Sequence, residues 1–463
     1  MVFSQLNWAR EDPVAMQLPE GKTPADAVCM EDPSRQGTAR CRMRMAAAQA
    51  TSLTWAEKPA EKARPIELPP EIVTRDYKAE IDPSTGEIAS LFSPSGKTIL
   101  GRGGGRLQLE SPPEKIAKVA ADFMAPRRQR TPAADCAAPA AVRAWRGPLA
   151  TLVEARLDCG AFRAERRIWF YADFPRIDFE IVLELRRSDV LATIAFPFVG
   201  RVDRRTRGIP FGFSEGPADE KWMEPQPYFL PRAAEHQLLG YSAAILPALG
   251  WSDYRLAGGG GLTLVEDGLP MHELAQDGLT LGLVNAVSTY RGLPNEELRA
   301  LGRHEFRFGI VPHEGDWRGA ESPKRAWEFR APAMVFEAGR ALPPLVRTSG
   351  NLILEALRRV DDELEVRLAE WRGEAGAAWV ECLAPHREAR RTNLLGEEAQ
   401  PLKRAARYRF AVLPQEIVTL RFRLDSAVER PEPLRSWAPL VPEAKREGLR
   451  MRIQKKGHPP RPF

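Results

Sequence analysis

The sequence lacks several features that would assign it to a simple class. It contains no apolar run of 18 residues, so no transmembrane helix is predicted, and its N-terminus lacks the basic start and apolar core of a secretion signal. Cysteine is scarce and odd in number, and no two cysteines form a C-x-x-C pair. The five are Cys29, Cys41, Cys136, Cys159 and Cys382. We therefore expect neither a disulfide framework nor a cysteine-based zinc site, and the cysteine usage favours a reducing, cytoplasmic location.

A net positive charge is also absent from most of the chain. The net charge is +5, yet residues 430–463 alone carry nine Lys/Arg and three Glu, a net +6, so the remainder is close to neutral. The basic residues belong to a Pro-rich tail, which we predict to be disordered over 426–463. Nucleic-acid binding would require basic residues mixed with aromatic ones on a folded surface, and we expect no nucleic-acid partner.

Helical periodicity is rare, whereas period-two alternation is common. Apolar residues occupy every second position from Ile177 to Leu185, which predicts a strand with one face on a core and one face toward water. Residues 77–82 and 88–92, separated by a Pro-Ser-Thr-Gly turn, predict a hairpin. The fold class is therefore all-β with little helix.

Three further segments have weak periodicity. Residues 101–105 form a glycine cluster that we interpret as a loop, because no helix pattern follows it. Residues 110–150 are rich in Ala, Pro and Arg and predict a poorly ordered insertion with a short helix over 115–123. Residues 205–260 are rich in Pro, Gly and aromatics and predict a long functional loop region.

Five stretches, in this order, resemble motifs of glycoside hydrolase family 38, the retaining α-mannosidases. Residues 2–10 resemble V-F-N-x-L-S-W-x-R, with Ser4 where asparagine is usual, and residues 77–91 resemble Y-x-V-x-I-D-x-x-T-G-x-I-x-S-L. Residues 174–179 resemble P-R-I-D-F, residues 268–274 resemble G-L-P-E-Y-E-V, and residues 304–317 resemble H-x-F-x-x-x-x-x-P-H-x-G-D-W. Residues 394–397 match an L-x-E turn before the family's last strands.

The resemblance covers residues 1–425 and is to the β-rich C-terminal half of the family. It implies a galactose-mutarotase-like supersandwich preceded by a small β-domain and followed by a smaller β-sandwich. The corresponding boundaries are 1–60 for the small β-domain, 71–330 for the supersandwich and 331–425 for the C-terminal β-sandwich. The tail, 426–463, follows them.

The family's chemistry lies in an N-terminal α/β barrel, which the sequence does not resemble. None of the six histidines is followed two residues later by Asp, so the barrel's H-x-D zinc motif is absent. We therefore expect no cofactor in this chain, with zinc in a separate catalytic domain, and a separately encoded α/β-barrel chain as a possible partner. A zinc site at His313, Glu314 and Asp316 is disfavoured, because side chains at a strand end diverge.

Carbohydrate contact is the site chemistry that the residues favour most. Trp222 and Tyr228, together with the Trp251–Tyr254 stretch, combine aromatic faces with polar groups, as sugar sites do. Alternatively, these aromatics close a sheet edge or a domain seam. By resemblance, the hairpin at 268–274 lies near the family's active site, which makes His272 and Glu273 substrate-proximal candidates; otherwise they are exposed hairpin residues.

Three functions remain open at this point. The favoured one is the carbohydrate-binding, structural portion of an α-mannosidase-like glycosidase, not catalytically competent alone and acting on mannosides with a barrel partner. The second is a stand-alone carbohydrate-binding module. The third is a sugar-acting enzyme on the mutarotase-like fold itself, which would require histidines and carboxylates converging on a concave face.

Overall fold

The computed structural model describes residues 2–111, 131–132, 141–218, 247–275, 278–290, 293–294, 296–335, 341 and 343–425. The helix expected over 115–123, the tail at 426–463, and the candidates Trp222 and Tyr228 lie outside this part of the chain. The predicted fold class is confirmed, since strands dominate throughout. The described residues hold no helix with the length and apolar character that a bilayer crossing requires.

The N-terminal strands form a small β-domain. Its strands are β1 (Val2–Phe3), β2 (Arg10–Gln17), β3 (Thr23–Pro24), β4 (Val28–Glu31), β5 (Thr38–Met45), β6 (Ala50–Thr51) and β7 (Trp55–Ala56). The main sheet has the order β2-β5-β4, and the alternating burial of Arg10–Gln17 gives it one packed face. That face carries a small core that includes Val14, Met16, Cys41 and Met43.

The central region holds two large sheets. Its strands are β8 (Arg64–Ile66), β9 (Glu71–Val73), β10 (Lys78–Ile81), β11 (Ile88–Phe92), β12 (Thr98–Leu100), β13 (Arg106–Ser111), β14 (Thr131–Pro132), β15 (Ala141–Arg146), β16 (Ala150–Cys159), β17 (Phe162–Tyr171), β18 (Ile177–Leu185), β19 (Val190–Phe196), β20 (Val202–Ile209), β21 (Gly212–Pro217), β22 (Trp251–Leu256), β23 (Gly261–Glu266), β24 (His272–Ala275), β25 (Gly278–Ala286), β26 (Thr289–Tyr290), β27 (Leu293–Pro294), β28 (Gly302–His313) and β29 (Met334–Val335). A 3₁₀ turn spans Glu297–Arg299, and helix α1 spans Ser322–Arg330.

The two large sheets face each other as a supersandwich. The ten-stranded antiparallel sheet has the order β21-β20-β22-β23-β28-β18-β17-β16-β15-β8, and the five-stranded sheet has the order β14-β13-β19-β25-β24. A four-stranded sheet, β12-β11-β10-β9, contains the predicted hairpin, in which Ala79 pairs with Leu91. The apolar residues of all three sheets share one core.

The inner face of β18 lies at the centre of this core, as its alternation predicts. Phe179 stacks on Phe308 with ring centroids 4.9 Å apart, and Phe196 from the opposite sheet meets Phe179 edge-on at 5.6 Å. Each buried aromatic of this kind stabilises the fold by roughly 1.5–3 kcal/mol. Gly105 is required beside them, because a Cβ at that position would lie 2.6 Å from the Phe179 ring and its φ is +81°.

The outer face of the ten-stranded sheet corrects a sequence prediction. Its polar residues were expected to face water, but Asp178 is 5% exposed and Arg167 is 1% exposed. The small β-domain covers them. Arg167 donates to Asp32 at 2.5 Å and to Glu180 at 2.8 Å, and Arg40 pairs with Glu180. Period-two patterning separates the two faces of a strand but does not reveal what covers the second one.

The C-terminal strands form a smaller β-sandwich. They are β30 (Val346–Thr348), β31 (Leu352–Val360), β32 (Glu363–Glu370), β33 (Gly376–Cys382), β34 (His386–Thr392), β35 (Gln400–Leu402), β36 (Tyr408–Val412) and β37 (Ile417–Leu424). Sheets β30-β33-β36 and β31-β32-β37-β34-β35 enclose a separate core. One pairing crosses a predicted domain boundary: β29 pairs with β1, Val335 lying opposite Val2.

The region 205–260 and the cysteines both differ from their predictions. The region 205–260 was expected to be loop, yet its described ends belong to β20, β21 and β22.

The expectation of no disulfide is also wrong, because Cys29 and Cys41 are directly opposite on β4 and β5, with Cα atoms 4.1 Å apart, and are bonded. Cys159 is also disulfide-bonded, and Cys382 is free and buried. Sequence spacing does not reveal such cross-strand neighbours.

The clamp between the small β-domain and the sheet generates a stability prediction. Asp32→Ala leaves the buried Arg167 guanidinium without its shortest partner, and we expect the free energy of unfolding to fall by about 3 kcal/mol. Denaturant unfolding followed by tryptophan fluorescence measures this change. Asp158→Ala, which removes an exposed partner of Arg163, is the matched control and should leave the midpoint unchanged. Equal midpoints for both variants and the wild type would contradict the assignment.

The disulfide generates a second prediction. Alkylation of the unfolded protein without reductant should leave Cys29 and Cys41 unmodified, and a non-reducing peptide map should find them linked. The double variant Cys29→Ala/Cys41→Ala should lose roughly 3 kcal/mol of stability, because a short loop is no longer closed in the unfolded chain. Cys382→Ala removes a buried thiol without a cross-link and serves as the control. Alkylation of both Cys29 and Cys41 would show the bond to be absent.

Candidate functional site

The hairpin that carries His272 and Glu273 lies at one edge of the five-stranded sheet. Strand β24 pairs with β25 so that His272 is opposite Leu281 and Glu273 is opposite Thr280. Gly268, with φ +88°, turns the chain into this hairpin. Because β24 is the last strand of its sheet, its side chains have room to face solvent. The alternative interpretation of the sequence, in which His272 and Glu273 are exposed hairpin residues, would require this.

His272 is instead a fully packed residue. It is 1% exposed, its Nδ1 lies 2.6 Å from the Ser252 hydroxyl, and its Nε2 lies 3.0 Å from the carbonyl of Leu269. A neutral imidazole satisfies both contacts, since Nε2–H donates to the carbonyl and Nδ1 accepts from serine. Burial lowers the pKa of His272 to about 4. The ring therefore stays uncharged at neutral pH and holds the hairpin to β22.

Glu273 is buried as well, at 1% exposed. Neither candidate reaches the surface of the described chain, so they are not exposed hairpin residues. Their proximity to substrate in a larger enzyme stays a prediction. The base of the hairpin is the part that reaches open space, because Asp267, Gly268 and Leu269 border a large cleft.

We call this space the interdomain cleft, because it lies between the small β-domain, the outer face of the ten-stranded sheet and the end of α1. Its volume is about 690 Å³, within the range of small-molecule sites. Its charged lining residues are Asp12, Arg35, Arg40, Arg176, Asp178, Glu180, Asp267, Glu305, Arg307 and Glu328. The cleft thus offers both donors and acceptors to a polar ligand.

Two carboxyl groups at the floor of the cleft have pKa values shifted in opposite directions. Burial raises the pKa of Asp12 to about 7, outweighing the nearby Arg176 and Arg10. Burial also acts to raise the pKa of Asp178, but the Arg176 guanidinium, 2.5 Å away, outweighs it and lowers that pKa. Opposite shifts of this kind are typical of acid–base pairs.

Burial and geometry nevertheless indicate that Asp12 and Asp178 have a structural role rather than a catalytic one. Asp12 is 3% exposed and Asp178 is 5% exposed, and Arg176 contacts both carboxyl groups. Glycoside hydrolysis requires two carboxyl groups on opposite sides of an open space that holds the sugar. Here the guanidinium occupies the position between them. The groups that a ligand can reach are those at the rim, Arg35 and Arg307 among them.

Sequence reasoning missed the residues of the cleft floor. Arg10 and Asp12 alternate with partly buried positions on β2, and Arg40 lies on β5 within a run of alternating arginines. The available signal for these residues was a charged side chain at a strand position that alternates in phase with apolar residues. Alone, that pattern does not distinguish a covered face from a solvated one.

A second polar cluster contains serine, histidine and aspartate but not a catalytic arrangement. His313 Nε2 lies 2.7 Å from Asp253 Oδ2, and Thr263 donates to the same oxygen at 2.7 Å. Ser322 bonds to Thr263 rather than to His313, and it is fully buried. Burial acts to lower the pKa of His313, but the Asp253 carboxylate outweighs it and the pKa is raised. The cluster ties α1 to the sheet.

The residues singled out at the end of β28 diverge, as strand geometry predicts. Glu314 accepts from the backbone of Ser95, Asp316 accepts from the backbone of Gly319, and Trp317 is packed against the sandwich at 1% exposed. Across the described ranges, no group of three His, Cys, Asp or Glu side chains could hold a metal ion. These residues therefore do not fit zinc.

The buried His272 generates a pH prediction. Its folded pKa, about 4, is below the usual value of 6.5, so the unfolded chain binds the proton first as pH falls and stability is lost below about pH 6.5. Between pH 7 and pH 5 this histidine should cost about 2 kcal/mol of unfolding free energy. His272→Gln should reduce the pH dependence by that amount, as measured by denaturant unfolding. A slope for His272→Gln that is identical to the wild-type slope would contradict the assignment.

The sequence of residues 351–420 matches the family described as glycosyl hydrolases family 38 C-terminal beta sandwich domain. This segment begins just before β31 and ends within β37, so it corresponds to most of the smaller β-sandwich. No curated protein sequence is detectably similar to the chain.

Two solved structures share the architecture of nearly the whole chain. An alpha-mannosidase from Enterococcus faecalis V583 is 12% identical, with a TM-score of 0.61, covering 91% of this chain and 55% of that one. A protein in the glycosyl hydrolase family 38 from Enterococcus faecalis is 13% identical, with a TM-score of 0.57, covering 90% of this chain and 51% of that one. This chain spans about half the length of either structure, and at such identities the likeness establishes the fold alone. Residues 351–420 are therefore similar to the C-terminal β-sandwich domain of glycosyl hydrolases family 38, and the chain shares the fold of these two solved structures.

Proposed function

We propose that this chain is the carbohydrate-binding, structural β-portion of an α-mannosidase-like glycosidase that acts on mannosides. Catalysis would take place on an α/β barrel supplied by another polypeptide, and the chain alone would not be competent. The observation that carries the proposal is the family 38 sandwich at 351–420 within a chain whose fold follows a solved alpha-mannosidase over 91% of its length.

The chemistry of the described residues supports a catalytic centre elsewhere. The carboxyl groups of the cleft floor are buried around Arg176, and none of the described histidines lines the cleft. A zinc ion, as the family resemblance implies, would be held by the barrel partner. The contribution of this chain would be to bind and orient sugar hydroxyls through the guanidinium and carboxylate groups at the rim of the interdomain cleft.

The rim of the cleft is the surface that we propose to face the barrel. Arg307 donates to Asp267 at the base of the hairpin at 3.0 Å, and both side chains remain nearly half exposed. The pair places one charge of each sign beside the hairpin that the family resemblance locates near the active site. Complementary charges on a partner would set orientation and association rate more than affinity.

A cytoplasmic location remains a prediction from the cysteine usage. The Cys29–Cys41 bond and the disulfide-bonded Cys159 argue against it, because disulfides persist mainly in oxidising compartments. The peptide map described above therefore also bears on location.

The proposal predicts a complex with a barrel protein. The chain should be mixed with the product of a neighbouring reading frame that encodes an α/β barrel with an H-x-D motif, and native mass spectrometry should detect a one-to-one complex. Arg307→Glu should weaken the complex about tenfold, because it places a like charge beside Asp267 and removes a donor from the rim.

Arg163→Glu is the matched control, since Arg163 is an exposed arginine on β17 that pairs with Asp158 at 3.1 Å, away from the cleft. It should leave the complex unchanged. A soluble, folded chain that forms no complex with the barrel protein would overturn the docking part of the proposal.

A further inference from the structure

A second cavity lies at the seam between the ten-stranded sheet, helix α1 and the C-terminal sandwich. We call it the seam pocket. Its volume is about 220 Å³, suited to a single small ring. Its aromatic and charged lining residues are Phe211, Phe213, Trp251, Trp327, Trp371, Arg330 and Glu355. The pocket is separate from the interdomain cleft and includes none of the residues discussed for that site.

The aromatic walls of the seam pocket are rigid. Trp317 lies behind them and contacts Phe213, Trp251 and Trp371 with ring centroids 4.4, 5.6 and 6.5 Å apart. The Trp371 indole donates to the carbonyl of Gly350 at 2.8 Å. Trp251 is 5% exposed and Trp371 is 4% exposed, so packing holds their orientation. Flat apolar faces held in this way match the C–H faces of a sugar ring.

Glu355 gives this aromatic pocket an acceptor. The residue lies on β31, is half-buried, and forms no hydrogen bond or ion pair with another described residue. Burial raises the pKa of Glu355 to about 7, and Arg330 on α1 is the charged group that opposes this rise. A half-buried carboxyl group that lacks hydrogen bonds gains when a hydroxyl-bearing ligand supplies donors.

The seam pocket continues into a neighbouring groove. A cavity of about 540 Å³ shares Trp327 and Glu355 with it and extends toward Phe3 and Leu345. Trp327 and Glu355 therefore stand where the two spaces meet. A ligand longer than one ring would have room to continue past them.

The composition of the pocket selects among ligand classes. An anion would be repelled by ionised Glu355, whereas a purely apolar group would desolvate that carboxyl group without replacing its hydrogen bonds. A metal ion would need further ligands, and the other described residues that line the pocket include no His, Cys, Asp or Glu. A neutral polyhydroxylated ring satisfies the aromatic faces, the carboxylate acceptor and the Arg330 donor together.

We propose that the seam pocket is a carbohydrate-binding site that holds one ring of a neutral glycan, with Glu355 accepting hydrogen bonds from its hydroxyl groups. This site rests on the carbohydrate-binding part of the proposed function but not on the barrel partner. It also accounts for Trp251, which the sequence placed among sugar-contacting or seam-closing aromatics. The structure puts it at a seam that retains a cavity.

The test uses the full chain and defined probes. Methyl α-mannopyranoside, methyl α-glucopyranoside and methyl β-galactopyranoside should be titrated while tryptophan fluorescence and calorimetric heat are followed, with cyclohexanol as a ring that lacks the hydroxyl pattern. We expect saturable binding of at least one glycoside and weaker binding of cyclohexanol. Glu355→Gln should weaken glycoside binding about tenfold, because it replaces a charged acceptor in a partly desolvated site.

The pH dependence separates a hydrogen-bonding carboxylate from a shape effect. A hydroxyl donor stabilises ionised Glu355, so affinity should rise several-fold from pH 6 to pH 8 in the wild type and stay flat in Glu355→Gln. Glu374→Gln, at an exposed position outside the pocket, is the control and should behave as the wild type. Thermal unfolding of each variant confirms that it is folded.

Three outcomes would overturn the proposal: no saturable binding of any of the three glycosides, equal binding of cyclohexanol, or unchanged binding by Glu355→Gln. Failure of the proposed function is distinguishable, because it concerns complex formation with the barrel protein. A chain that binds glycosides through Glu355 and forms no such complex would retain this site while losing the docking role.

Discussion

The buried ion network between the small β-domain and the ten-stranded sheet is the interaction on which the rest of the structure depends. Arg167 and Arg40 both lie over the Trp169 ring, with guanidinium carbons 5.2 and 4.3 Å from its centroid. Their carboxylate partners come from both domains, Asp32 from one and Glu180 from the other. Charges removed from water at such cost are stable only when paired, so the network holds the two domains at one fixed relation.

Two cavities lie beside the outer face of the ten-stranded sheet. The small β-domain covers one end of the outer sheet face and leaves the interdomain cleft beside Arg176 and the base of the 268–274 hairpin. Helix α1 covers the other end, anchored by the Asp253 and Ser322 cluster, and leaves the seam pocket beside Trp327 and Trp371. Both cavities therefore follow from how the outer face is covered, whereas the inner face forms only core.

Much of the fold was predictable because alternation is a local signal. The strand from Ile177 to Leu185 and the hairpin at 77–92 follow directly from period-two patterns and turn residues. The packing of the small β-domain on the polar face of β18 was not predictable, because no local sequence pattern indicates which domain packs there. Helix α1 gave little signal, with Pro323 in its first turn and few apolar positions, and the Cys29–Cys41 bond depends on a strand register that spacing does not encode. For the site, the hairpin was located, but His272 and Glu273 proved buried, and Glu355 was not singled out because one carboxylate in an alternating strand is unremarkable until its neighbours are known.

The central claim is that this chain supports sugar cleavage without performing it. Turnover of 4-nitrophenyl α-mannopyranoside with added zinc, by the purified chain and by the chain combined with the barrel protein, tests it most directly. The account predicts no release of nitrophenol above the blank for the chain alone and release when both are present. Turnover of the substrate by the purified chain, in preparations that contain no barrel protein, would contradict it.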